Sequence, residues 1–95
     1  MDQKSEVFDS VWDALEESPE EAENMKIRSS LLIALREHLD KLDLTQAKAA
    51  EMLGVKQPRI SDLYRGKVNR FGVDALITLA SKAGLRVELN ILEVA

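Results

Sequence analysis

Cysteine is absent from the chain, which removes disulfides, thiolate metal ligands and a sulfur nucleophile together. A single histidine, His38, leaves no basis for a histidine metal cluster or paired-histidine chemistry; it reads as a surface or boundary residue of a helix. Aromatic residues make up 4% of the sequence, so a core must be built from Leu, Ile, Val and Ala. The longest apolar runs, Leu31 to Leu35 and Ala75 to Ala80, are far too short to span a membrane. The opening residues, with Asp2 and Glu6, lack the basic and apolar zones of a signal peptide, so a cytoplasmic location is expected. Ser61 and Thr45 read as turn or cap residues rather than nucleophiles, because no base lies at a suitable spacing. An enzyme is not expected, nor any cofactor.

What is present suits one small domain of 95 residues, 45% hydrophobic and 32% charged. The net charge of −4 conceals a strong asymmetry. Residues 1–24 carry nine acids against Lys4, a balance of −8. Residues 45–70 carry six bases (Lys48, Lys56, Arg59, Arg65, Lys67, Arg70) against Glu51 and Asp62, a balance of +4. Salt confines such fields to roughly 8 Å, so a basic middle segment can meet a polyanion while the acidic head points elsewhere or meets a basic partner.

Periodicity divides the chain into helices. Val7, Phe8, Val11, Trp12 and Leu15 form one apolar stripe of a short N-terminal helix whose other face is acidic. Ser18-Pro19-Glu20-Glu21 is a helix start, with a capping serine, proline in the first turn and acids at the positive end of the dipole. The helix it opens is predicted to run from Pro19 to about Lys41 and to bury Ile27, Leu31, Leu35, Leu39 and Leu42. Thr45 caps a helix from Gln46 to Leu53, which Gly54 ends. Pro58 fits the first turn of a third helix, from about Gln57 to Arg65, stopped by Gly66. After the basic connection Lys67 to Arg70, a further helix spans about Val73 to Ala83. The end of the chain changes period: Leu85, Val87, Leu89 and Ile91 alternate with Arg86, Glu88 and Asn90, the pattern of a half-buried strand. A lone strand cannot satisfy its own backbone, so it must pair with a second copy or another protein. A homodimer is the simpler solution. An antiparallel pairing about Val87 sets Arg86 opposite Glu88 of the mate.

The informative stretch is LTQAKAAEMLGVKQPRISDLYRG, Leu44 to Gly66. Its logic is two short helices meeting through a tight turn, with Ala50 small enough for close approach and Val55 plugging the turn. Ile60 and Leu63, three apart, face inward; Pro58, Ser61, Asp62 and Arg65 are left facing out, flanked by Gln57 and Arg59. Thr45-Gln46, Ala50, Gly54-Val55, Gln57, Ile60-Ser61, Leu63 and Arg65-Gly66 resemble the helix-turn-helix of the lambda-repressor-like, or XRE, family. The resemblance covers about 40 residues once the following helix is counted. The wider layout of acidic head, long first helix, motif and Leu-Arg-Val-Glu-Leu tail is similar to the HigA-type antitoxin subgroup.

That resemblance implies an all-α, lambda-repressor-like bundle with an extra N-terminal helix and a C-terminal strand, about residues 85–92, pairing across a homodimer. It divides the chain into an acidic segment, 1–17, and a DNA-binding domain, 18–95. It implies a sequence-specific repressor on double-stranded operator DNA that also neutralises a basic RelE- or HigB-like toxin, an mRNA endoribonuclease. The alternatives are a stand-alone phage-type regulator without a toxin, a toxin-neutralising binder with weak DNA contact, and a helix-turn-helix that binds protein only.

Residue roles follow from the resemblance joined to side-chain chemistry. Gln57, Pro58, Arg59, Ser61 and Asp62 are the expected base readers: Gln57 suits adenine, Pro58 a thymine methyl, Arg59 guanine or a phosphate, and Asp62 cytosine N4. Thr45, Gln46, Lys56, Arg65, Lys67, Asn69 and Arg70 are the expected phosphate ligands. The Val7, Phe8, Val11, Trp12 and Leu15 stripe is the expected toxin-docking surface, set against its reading as plain core. Tyr64 is expected at the helix edge. Three positions depart from the family pattern. Lys56 stands where a small cap is common, Gly72 where serine is common, and Pro58 where a polar reader is common.

Overall fold

The computed structural model describes residues 18–94. Helix α1 spans Pro19–Lys41, α2 Gln46–Leu53, α3 Gln57–Tyr64 and α4 Val73–Lys82, with a 3-10 turn, Val68–Arg70, between α3 and α4. Helix α1 packs chiefly on α4, and α2 on α3, so the long helix and the last one form the platform on which the α2–α3 corner is mounted.

Local chemistry accounts for the boundaries. Ser18 accepts the Glu21 N–H while the Glu21 carboxylate accepts the Ser18 N–H, a reciprocal capping box with Pro19 inside it. The Thr45 hydroxyl oxygen accepts the Lys48 N–H at 3.1 Å. Gly54 sits in the left-handed region (φ 70°), where the chain turns sharply enough for the Val55 N–H to reach the Ala50 carbonyl at 3.0 Å. A Cβ at Gly54 would also lie 3.3 Å from Lys82 Nζ. At the end of α1 the left-handed residue is Asp43 (φ 57°), which closes the helix without a glycine.

The core joins all four helices: Leu32, Leu35 and Leu39 from α1, Ala49, Ala50 and Leu53 from α2, Ile60 and Leu63 from α3, and Leu76 and Leu79 from α4, with Phe71 beneath α3. As expected, Ile60 and Leu63 point inward and Val55 packs against the core from the turn. The buried stripe of α1 differs from the expected one. Leu32 is buried and Leu31 half-buried, whereas Ile27 is 40% and Leu42 42% exposed. Periodicity allows either of two neighbouring stripes on so long a helix; the docking of α4 selects the one through Leu32. Leu42 lies beyond the last helical residue and turns outward. His38 is half-buried and its Nε2 donates to the Ala83 carbonyl at 2.9 Å, tying the C-terminal ends of α1 and α4.

Two expected elements remain, one toward each end of the chain. The N-terminal helix through Val7, Phe8, Val11, Trp12 and Leu15 lies outside the described residues. The C-terminal strand is not formed within the chain: residues 85–94 run without a ladder partner among the described residues. A strand is defined by its neighbour, and the described residues supply none. Leu85 and Val87 are half-buried against the bundle, while Leu89 and Ile91 are 75% and 87% exposed. Arg86 and Glu88 meet each other within the chain, at 3.7 Å.

Replacing Gly54 by alanine forces a Cβ into the left-handed region, a cost of about 1–2 kcal/mol. The urea midpoint of Gly54→Ala is therefore expected to fall, with the denaturant slope unchanged. Leu35→Ala, at a fully buried position, is expected to cost about 2–5 kcal/mol in the same measurement.

Candidate nucleic-acid interface

Helix α3 is eight residues long, too short to persist alone in water, so neighbouring groups must hold it in place. Its inner face is sealed by Ile60 and Leu63, both with no exposed surface. Its C-terminal end is held by Arg36 of α1, whose Nη1 donates to the Tyr64 carbonyl at 3.0 Å, placing a cation at the negative end of the helix dipole. Its flank is held by Arg59. The Arg59 guanidinium lies 4.1 Å above the centre of the Phe71 ring, and Nη1 donates to the Arg70 carbonyl at 2.8 Å. Phe71 has no exposed surface, so the charge rests on a buried aromatic floor, a contact of about 0.5–2 kcal/mol. Three packed neighbours thus fix the pitch of one short helix.

The outward residues divide into two groups. Gln57, Pro58 and Ser61 share a shallow concavity of about 470 Å³ with Gln46, the first residue of α2. Gln46, Gln57 and Pro58 are exposed and Ser61 half-buried, so amide and hydroxyl groups stand around one apolar ring at the corner where two helices begin. The second group is engaged internally. Arg59 is committed to Phe71 and Arg70 as described, and Asp62 accepts from Arg70 Nη1 at 3.1 Å. The Asp62 side chain is 19% exposed and that of Arg70 59%.

The expected phosphate ligands differ in exposure. Lys56, Arg65, Asn69 and Arg70 are exposed and Lys67 is half-buried. Lys56 makes no side-chain cap at the start of α3, in keeping with its departure from the common small residue, and its amine stays outside the helix. Gly72 likewise offers no side-chain cap to α4. The Thr45 oxygen is occupied as an acceptor, which leaves its hydroxyl proton free to donate outward. Among the described residues, no group of three or more His, Asp or Glu side chains is arranged to hold a metal ion.

Sequence reasoning overlooked Arg36, Phe71 and the 3-10 turn. Arg36 carries no local signal, because its partner is a carbonyl 28 residues away. Phe71 carries a weak one: it is one of only two Phe in the chain and follows directly on the basic run ending at Arg70.

A four-helix bundle with a glycine-turned helix pair, a short third helix seated on its core and a polar outer face defines the helix-turn-helix class. A family model described as "Helix-turn-helix domain" matches residues 14–92. A solved structure described as "Putative XRE Family Transcriptional Regulator" is 35% identical, covering 78% of this chain and 83% of that one, with a TM-score of 0.72. No curated protein matches the chain significantly. The chain belongs to the XRE family of helix-turn-helix transcriptional regulators. No helix among the described residues is long and apolar enough to cross a membrane.

Tyr64, the last residue of α3, is half-buried, and its phenol pKa is raised by burial and, secondarily, by the nearby Asp40 carboxylate. The folded state thus holds the phenol proton at a pH where the unfolded chain releases it. The associated stability is fully present below the unfolded value near 10.0 and is lost as pH rises beyond it toward the higher folded value. Tyr64→Phe is expected to flatten the alkaline limb of stability above that pH and leave the neutral region's pH dependence unchanged, as read by urea unfolding across pH.

Proposed function

We propose that this chain is a sequence-specific repressor of operator DNA, reading bases through the concavity of Gln57, Pro58 and Ser61 with Gln46 at its edge. The observation that carries this reading is the grouping itself. A side-chain amide with paired donor and acceptor, a hydroxyl and an apolar ring stand together on the outer face of a short helix, with the amide of Gln46 from α2 at their edge, inside a segment of charge +4. Such groups match the edge pattern of adenine and the thymine methyl in the major groove. In this reading Thr45, Lys56, Arg65, Lys67 and Asn69 take phosphates, contacts that orient the domain without reading sequence.

The repressor acts as a homodimer, its two recognition helices about 34 Å apart on a palindromic site. Support comes from the C-terminal segment. Residues 86–94 make no backbone hydrogen bonds among the described residues, and the apolar Leu89 and Ile91 are largely exposed. Val87 and Leu89 also wall a groove of about 550 Å³ with Ile27, Leu31, Val73 and Ile77. None of its lining comes from α2 or α3, so a mate seated there leaves the reading face open.

The chain further serves as the antitoxin of a type II toxin–antitoxin pair, its HigA-like acidic segment, residues 1–17, docking a basic RelE- or HigB-like toxin. This rests on the −8 balance of residues 1–24 and on the apolar stripe of Val7, Phe8, Val11, Trp12 and Leu15.

Selection of duplexes from a random pool should yield a palindromic site. On that site Gln57→Ala is expected to lose about 1–3 kcal/mol of discrimination at one base position, whereas Lys67→Ala weakens binding evenly across sequences. Discrimination unaltered by Gln57→Ala and Ser61→Ala would remove the base-reading assignment. For the toxin, Phe8→Asp with Trp12→Asp should abolish complex formation with the basic chain encoded beside this one while sparing DNA binding. Full neutralisation by that variant overturns the docking assignment of Val7, Phe8, Val11, Trp12 and Leu15, and a locus without such a neighbour favours the stand-alone regulator.

A further inference from the structure

Asp62 is an anomaly on a face meant for a polyanion. A carboxylate there repels phosphates unless something neutralises it, and a carboxylate is also the closest protein mimic of a phosphate in the geometry it offers a guanidinium. Here it is neutralised by Arg70, at 3.1 Å. The two partners are unequally placed, the acid largely sheltered and the arginine largely open. The main chain of Arg70 is fixed as well, because its carbonyl accepts from Arg59, which is held against Phe71. The guanidinium therefore leaves a fixed base and ends on an acceptor carried by α3, the helix that presents Gln57, Pro58 and Ser61.

We propose that Asp62 is an internal stand-in for a DNA phosphate, holding Arg70 so that backbone attraction is restrained and binding depends on the base readers. The proposal rests on the DNA-binding reading above. A free arginine at this position would join any duplex backbone, releasing a counterion irrespective of sequence. An arginine held by Asp62 gains little by moving to a phosphate, since the move strands an unpaired carboxylate next to the DNA. Non-specific affinity is thereby lowered more than specific affinity, because the specific complex has the contacts of Gln57, Pro58 and Ser61 in addition. Asp62 thus acts through Arg70 rather than on cytosine, and Arg59 is a positioning residue that fixes the base from which Arg70 extends.

The full chain is titrated with a fluorescent mixed-sequence duplex of about three helical turns over a series of salt concentrations. Asp62→Asn is expected to bind this duplex more tightly, with a log–log salt slope steeper by about 0.9 per bound protomer. Asp62→Glu, which keeps the charge, should retain the wild-type slope. Arg70→Gln should alter the wild-type slope little, yet return the slope of Asp62→Asn to the wild-type value when the two are combined. Thermal melts by circular dichroism accompany each variant; should Asp62→Asn fail to fold, the Arg70→Gln slope in the otherwise native chain decides alone. An unchanged slope in Asp62→Asn, or a slope made shallower by about 0.9 by Arg70→Gln alone, overturns the proposal, since either places Arg70 already on a phosphate or clear of the DNA. Wild-type protein that binds neither this duplex nor any site selected from a random pool, at any salt concentration, overturns the DNA-binding reading and this one together. Salt-dependent wild-type binding without the Asp62 effect overturns this one only.

Discussion

Everything that α3 presents depends on how an eight-residue helix is kept from fraying. Two buried side chains, Ile60 and Leu63, supply its apolar seat. That seat sets its depth, but two contacts leave rotation about the helix axis poorly restrained. The remaining freedom is removed at the periphery, by Arg36 on the Tyr64 carbonyl and by Arg59 wedged between the Phe71 ring and the Arg70 carbonyl. Both anchors are arginines, whose planar, multiply donating groups satisfy a carbonyl and pack along a surface at once. The outer face of α3 is therefore a fixed surface mounted on a core.

The same arrangement sorts the polar residues by what they are free to do. Gln46, Gln57, Pro58 and Ser61 gather around one concavity, and among the described residues no hydrogen bond engages their side chains. Arg59 and Asp62 are spent inside the protein, one on an aromatic floor and the other on Arg70. A face with both charge signs built into it is quieter toward a generic polyanion than its net charge suggests. In the proposed function, that quietness is what makes sequence matter.

Much of this was legible beforehand. The limits of α1 and α2 match expectation to the residue, because Ser18-Pro19, Thr45 and Gly54 are chemical punctuation that acts within a few residues of itself. Helix α3 and helix α4 each end one residue earlier than expected, within the ordinary fraying of a last turn. The inward pair Ile60 and Leu63 followed from spacing alone. The buried stripe of α1 did not, since Leu31 and Leu32 are equally apolar and only the position of α4 chooses between them. The basic connection Lys67 to Arg70 contains a 3-10 turn whose bonds are local but whose purpose, carrying Phe71 under α3, is not.

The order of amino acids by itself determined where helices begin and stop and that Ile60 and Leu63 face inward, because caps, turns and periodicity act over one or two helical turns. Only the tertiary structure decided which outward side chains are at liberty. Arg59 and Asp62 look as available as Gln57 and Ser61 in the linear motif, and they are drawn away by Phe71 and Arg70, residues of another turn of chain. A charged side chain's role is set by the nearest opposite charge, carbonyl or ring in space, and that distance does not exist until the chain has folded.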